Sequence, residues 1–328
     1  MISWKKCFAP IQIMLVLGLM LSQVFCIPLR YDQPSCDFAQ NAAWVSVHWT
    51  ANPPDESAIQ ALAESMQARQ IAFLFVYTAY LKADGTFSNP PNHAENYAGE
   101  FAYLFRKHNQ NTKLLAWVGV PLKNDRPLGI AGWVDLAEQS ERSKVVAYAS
   151  EIVPNFDGIH LNVETVANRN PDFLQLLTEV KTAIGDEKLL SIAGAHWSPD
   201  WLNAVPFLQD FRWTTAYYRQ IALQVDQIAT MTYDSRAFLP EVYRFWMREQ
   251  VKGITQSLQD SDTQLLIGIS VSQEGTNSHR LAAERLADGL AGLCASGSAL
   301  AGVVGVALYA DWDFSRQDEL VWQKWLEK

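Results

Sequence analysis

The chain has 328 residues, 49% hydrophobic and 19% charged, which excludes a disordered or low-complexity polymer and allows two domains or one large barrel or α/β domain. Lys and Arg number 26 against 35 Asp and Glu, a formal net charge of -9 and a pI near 5.2, which argues against a nucleic-acid backbone as the main ligand. A neutral or polar substrate fits better.

Lys5 and Lys6 precede an apolar run from Ile11 to Phe25, interrupted only by Gln12, Ser22 and Gln23. The run reads as a secretory signal cut near Cys26, or as an uncleaved membrane anchor. Phe25 before Cys26 makes a poor lipobox, so soluble export ranks above a lipoprotein. Loss of Lys5 and Lys6 would take the net charge from -9 to -11. Residues 1–26 are therefore assigned to a signal peptide or anchor, 27–43 to an extension and 44–328 to the folded domain. The protein is expected to be secreted or periplasmic, or membrane-attached if the segment is retained. Of the four cysteines, Cys7, Cys26, Cys36 and Cys294, the last two would survive cleavage, either as one disulfide or as two buried thiols. No Cys/His spacing suits a structural metal.

From residue 44 onward, β-branched and aromatic runs alternate with amphipathic segments. Strands are predicted over Trp44–Thr50, Ile71–Tyr77, Lys113–Val120, Phe156–Glu164, Leu189–Ala195, Gln227–Tyr233, Gln264–Ser270 and Gly302–Tyr309. Helical faces are predicted from Ala94, Tyr97, Ala98, Phe101 and Phe105, from Phe173, Leu176, Leu177, Val180 and Ile184, and from Ala282, Leu286, Leu290 and Leu293. Strand and helix alternate without a linker or a change of composition, which predicts a single (β/α)8 TIM barrel. A doubly wound open sheet is the alternative. It lacks a G-x-G-x-x-G turn after the first strand, where His48-Trp49-Thr50-Ala51-Asn52 stands instead.

A barrel places its chemistry at the C-terminal ends of its strands. Those positions carry His48 and Trp49, Tyr77 and Tyr80, Trp117, Glu164, His196 and Trp197, Tyr233 and Asp234, Gln273 and Glu274, and Tyr309 and Trp312. Aromatic rings there can stack on sugar C–H faces, although a large ring is as often core. The fourth strand is the most informative. Along Phe156-Asp157-Gly158-Ile159-His160-Leu161-Asn162-Val163-Glu164 the period of two puts Ile159, Leu161 and Val163 on one face and His160, Asn162 and Glu164 on the other. Three inward polar residues ending in an acid carry a desolvation cost that packing residues would avoid, so they mark a functional site or a satisfied polar network.

This segment resembles the D-G-x-D-x-D-x-E signature on the fourth strand of glycoside hydrolase family 18, the chitinase-like barrels. Met231-Thr232-Tyr233-Asp234 resembles that family's M-x-Y-D, and Gly305-Val306-Ala307-Leu308-Tyr309 resembles its eighth strand, where the last residue is usually Trp. The resemblance implies Glu164 as general acid, a substrate acetamido group as nucleophile, the residue two before the acid as its orienter, and Tyr233 as a donor to the acetamido oxygen. Here His160 and Asn162 stand where the family carries Asp. Asn162 can accept the acetamide N–H but brings no charge. The Asn-x-Glu pair is similar to family 85 endo-β-N-acetylglucosaminidases, and Trp117 replaces a small residue of the family's third strand. Catalysis is thus assigned to Glu164, Asn162 and Tyr233, and carbohydrate contact to Asp234, His160, His48, Trp117, Tyr309 and Trp312, with no metal or cofactor. Two rival readings are a sugar-binding barrel without turnover and a metal-dependent hydrolase built on His48, His160 and His196 with Asp157 and Glu164. No metal-ligand spacing supports the latter.

Overall fold

Eight parallel strands close on themselves in the computed structural model, which describes residues 36, 38–123, 132–201 and 212–327. They are β1 (Asn41–Val45), β2 (Ile71–Tyr80), β3 (Lys113–Pro121), β4 (Gly158–Glu164), β5 (Leu189–Gly194), β6 (Gln227–Thr230), β7 (Gln264–Ser270) and β8 (Gly305–Tyr309). Each is followed by one principal helix: α1 (Glu56–Ala68), α2 (Ala98–His108), α3 (Gln139–Ile152), α4 (Pro171–Ile184), α5 (Thr215–Ala222), α6 (Pro240–Leu258), α7 (Leu286–Cys294) and α8 (Arg316–Leu326). The open sheet is excluded because β8 pairs with β1, through Ala42 to Ala307 and Ala43 to Leu308. The signal or anchor segment, with Cys7 and Cys26, lies outside the described residues. Among the described residues no helix is long and apolar enough to cross a membrane.

Two apolar layers follow from the strand alternation. Outward residues such as Ile159, Leu161 and Val163 pack under the helices together with Phe173, Leu176 and Val180 of α4. Inward residues Trp44, Phe73, Phe75, Leu115, Trp117 and Leu266 fill the barrel itself. The predicted face of α4 is the buried one, and Asn170 caps the helix by accepting from the Asp172 and Phe173 N–H groups at 2.9 and 3.1 Å.

Several boundaries differ from expectation for local reasons. The first strand starts at Asn41, so the last residues of the assigned extension belong to the barrel, where Asn41 Oδ1 accepts the Val306 N–H at 3.0 Å. That strand stops at Val45 because the Ser46 hydroxyl accepts the His48 N–H at 3.0 Å and starts a one-turn helix at His48–Ala51. The sixth strand ends at Thr230, leaving Tyr233 and Asp234 on the following loop. Helix α7 begins at Leu286, and Ala282, expected on its buried face, is exposed.

Cys36 and Cys294 form a disulfide, with Cα atoms 5.3 Å apart across a sequence separation of 258. It ties the chain just before β1 to the end of α7. Removing a native cross-link over so long a loop costs ~2–5 kcal/mol, mainly by freeing the unfolded chain. Cys36→Ser with Cys294→Ser is expected to lower the free energy of unfolding by that amount in denaturant titrations. A wild-type unfolding curve insensitive to reductant would contradict it.

Candidate active site

The inward row of β4 divides into a floor and a mouth. His160 is fully buried, beside Trp117 of β3 and Ser191 of β5 in the strand register. The Trp44 indole N–H donates to His160 Nε2 at 3.0 Å, and indole has no acceptor, so the His160 proton sits on Nδ1 and faces the Ser191 hydroxyl at 2.9 Å. Ser191 donates to Gln227 Oε1 at 2.8 Å, and Gln227 donates to Gln264 Oε1 at 3.2 Å. Since Ser191 aligns with Gln227 and Gln227 with Gln264, this chain of hydrogen bonds follows the strand pairing from β4 to β7. Burial pushes the imidazole down to about 3, so His160 is neutral, and its ring stacks on Phe75 with centroids 3.9 Å apart. His160 therefore belongs to the floor and, contrary to expectation, both its nitrogens are engaged and it does not line the cavity above.

Above this floor a cavity of about 370 Å³ opens, lined by Asn162, Glu164, Tyr233, Asp234, His196 and the rings of Trp44, Trp117 and Tyr309, among others. Its size falls in the range of small-molecule sites. Burial raises the Glu164 carboxyl above its ordinary value of 4.5, the Asn162 amide opposes the rise, and the Asp234 charge adds to it. Asn162 Oδ1 is buried without a hydrogen-bond partner among the described residues. Burial, with Tyr309, Glu164 and Asp234 nearby, raises Tyr233 well above 10, so its hydroxyl stays a donor. The Tyr233 ring lies parallel to Tyr309, centroids 5.0 Å apart, and its backbone carbonyl accepts from His196 Nε2 at 2.7 Å. Residue 268 must be glycine here, because a Cβ would collide with the Thr230 carbonyl and press on the Tyr233 ring.

The remaining candidates divide. Trp117 and Tyr309 form cavity walls, and Trp312, 48% exposed, meets Tyr309 edge-on at the rim with centroids 5.7 Å apart. His48 is exposed, faces Asn52 through Nδ1 at 3.1 Å and does not line the cavity. The three histidines of the metal reading do not converge, since His160 is held in the floor, His196 faces the Tyr233 carbonyl and His48 lies outside. Asp157, one of the two acids of that reading, pairs with Arg106 at 3.0 Å and accepts the Leu114 N–H at 2.8 Å. His196, expected only as a strand-end residue and as a ligand in the metal reading, is a wall of the cavity, and so is Trp44, which was not expected in the site. Trp44 sits mid-strand, and only closure of the barrel shows that it faces inward.

The model of glycosyl hydrolases family 18 matches residues 47–288. The chain belongs to this family. The family 18 match stops short of β1 and β8, the two strands whose pairing closes the barrel. No curated protein sequence matches. Among solved structures, a plant class V chitinase mutant from Cycas revoluta in complex with (GlcNAc)3 aligns with a TM-score of 0.61 and 13% identity over 88% of this chain and 98% of that one. A chitinase from Chromobacterium violaceum gives 0.57 and 14%, over 88% and 99%. The Bacillus cereus spore cortex-lytic enzyme SleL gives 0.55 and 11%, over 87% and 73%. At these identities the likeness is one of fold.

The shifts predict opposite pH signatures. Glu164 is raised in the folded state, so the stability it contributes is present below 4.5 and falls as pH rises through its folded value. Glu164→Gln should therefore melt higher than wild type at pH 7 and at the same temperature near pH 4. His160 falls from 6.5 to about 3, so its contribution is present above 6.5 and is lost as pH drops through that window. His160→Ala should cost about 3 kcal/mol at pH 7 through a cavity and an unpaired indole N–H, and should flatten acid destabilisation between those values. A Glu164→Gln advantage that persists at pH 4 would refute the first assignment.

Proposed function

We propose that this chain is a glycosidase that cleaves N-acetylhexosamine-containing glycans, using the substrate's own acetamido group as nucleophile. The observation that carries the reading is the buried, unpartnered Asn162 Oδ1 beside a desolvated Glu164 carboxyl in one cavity with the Tyr233 ring. An acceptor without a protein donor suits a substrate N–H, as on an acetamide. The GlcNAc trimer held by the Cycas revoluta chitinase mutant supports a ligand of this class.

In this mechanism Glu164 donates its proton to the glycosidic oxygen as that oxygen leaves the anomeric carbon. The acetamido oxygen attacks the same carbon and closes a five-membered oxazolinium ring. Asn162 Oδ1 accepts the acetamide N–H, Tyr233 donates to the acetamido oxygen, and both hold it in line. Water then opens the ring and returns a proton to Glu164. The walls of Trp44, Trp117 and Tyr309 exclude solvent and offer faces to sugar C–H groups. Family 85, with its Asn-x-Glu pair, offers a precedent for an amide in the orienting role. The N-terminal apolar run and the disulfide support export to an oxidising compartment, or attachment to a membrane if the run is retained.

A panel of aryl N-acetylglucosaminides, chitooligosaccharides, peptidoglycan fragments and N-glycans should contain a substrate. On it, Glu164→Gln should cost on the order of 10²-fold or more where the leaving group is poor. Asn162→Asp should change rate and pH profile together, because a second carboxylate both raises the acid and offsets the cation. If nothing in the panel turns over and Glu164→Gln leaves sugar affinity intact, the barrel is a carbohydrate-binding protein. Turnover that survives Glu164→Gln but vanishes with a chelator would favour the metal reading.

A further inference from the structure

Glu284, between β7 and α7, is buried, and its carboxylate is saturated. Oε2 accepts the Asp234 N–H at 2.9 Å and faces His279 Nδ1 at 3.1 Å. Oε1 accepts the Ser235 N–H at 3.0 Å and the Ser235 hydroxyl at 2.7 Å. A carboxylate offers about four lone-pair positions, and here four donors face them. Asp234, His279 and Glu284 bring ligand atoms within 4.8 Å of one another, yet a cation would have to displace two backbone N–H bonds to be held. The cluster is a clip.

The clip holds a backbone that has little local reason to stay put. Asp234 and Arg236 adopt φ of 57° and 62°, in the left-handed region that costs a non-glycine residue energy unless its surroundings fix it. The Arg236 N–H donates to the Ser278 carbonyl at 2.9 Å, so residues 234, 235 and 236 are each tied to the segment that follows β7. Asp234 then lines the same cavity as Glu164, its side chain half exposed and Oδ1 4.0 Å from His279 Nδ1.

We propose that Glu284 and His279 are positioning residues, which hold Asp234 at the wall of the cavity that Glu164 also lines. The clip itself is independent of the glycosidase reading, and only its catalytic consequence rests on it. The titratable groups that act on Asp234 are His279 and Glu284, and it acts in turn on Glu164, Tyr233, Tyr243 and Tyr309, the three phenols being neutral. Burial is the first cause that raises Glu164, and the Asp234 charge adds to it, so releasing Asp234 into water lowers the Glu164 midpoint.

Carboxyl ¹³C NMR titration of the full chain, with the Glu164 resonance assigned as the one lost in Glu164→Gln, tests this without a substrate. Glu284→Gln sets an amide N–H₂ against the loop N–H groups and should lower the Glu164 midpoint by about half a pH unit or more, as should Asp234→Asn. The double variant should go no lower than Asp234→Asn alone, because Glu284 acts through Asp234. Shifts that add would mean a direct field from Glu284, and no shift in a folded Glu284→Gln would mean a purely structural clip; either overturns the proposal. Should Glu284→Gln fail to fold, Ser235→Ala removes one bond of the clip and should move the midpoint the same way by less, while an unmoved midpoint counts against it. If no glycan is hydrolysed, the glycosidase reading fails while the titration result stands. If hydrolysis occurs, the basic limb of kcat/KM should move with the midpoint.

Discussion

Glu164 is raised because its carboxyl is set inside the mouth of a closed barrel where, among the described residues, no cation lowers it. Water would solvate the ionised form, but protein replaces water on most sides, so the neutral acid is favoured. The remainder of the site supports that condition. The rings of Trp44, Trp117 and Tyr309 wall the cavity, and the polar residues below it are neutral and bonded to one another. A proton kept by burial is available to a leaving group, and a carboxylate already paired with Arg or Lys would have none to give near neutral pH.

The hydrogen-bonded floor explains how a barrel core tolerates a polar row. Each buried polar side chain from His160 to Gln227 finds a partner on the neighbouring strand, because parallel register sets like-facing residues side by side. The same row fixes Trp44, whose indole N–H would otherwise be orphaned among Phe75 and Tyr309. The floor thus shapes the cavity without entering it. This separates His160, a support for a wall, from Asn162, which lines the cavity and whose Oδ1 has no hydrogen-bond partner among the described residues.

What could be read from the sequence was whatever depends on period and on spacing within one element. The alternation of β4 gave the inward direction of His160, Asn162 and Glu164, and Tyr233-Asp234 could be assigned to the end of a sixth strand by counting strands. Depth was not legible. His160 and Asn162 share a face two residues apart, and only the barrel's closure makes one floor and the other wall. His48 stood at a strand end in the sequence, but the Ser46 turn ends the strand early and leaves it exposed. Glu284 was hidden for a different reason: in Ala283-Glu284-Arg285 it looks like a solvated helix residue, and its partners Asp234 and Ser235 lie about fifty positions away, linked only by the packing of two loops.

The two departures from the family's fourth-strand signature have a joint electrostatic effect. In the resembled pattern a carboxylate stands two residues before the acid, raises it as a like charge and can offset a developing cation. Asn162 does neither, and its amide works against the rise of Glu164. The negative charge that does raise Glu164 is Asp234, on the loop after β6, and that loop is held in a left-handed conformation by Glu284 from beyond β7. The like charge that remains to act on Glu164 is therefore carried on a loop that needs a clip, not on a rigid strand. On a strand, neighbouring backbone bonds would fix such a charge; here its position depends on four donors meeting one buried carboxylate.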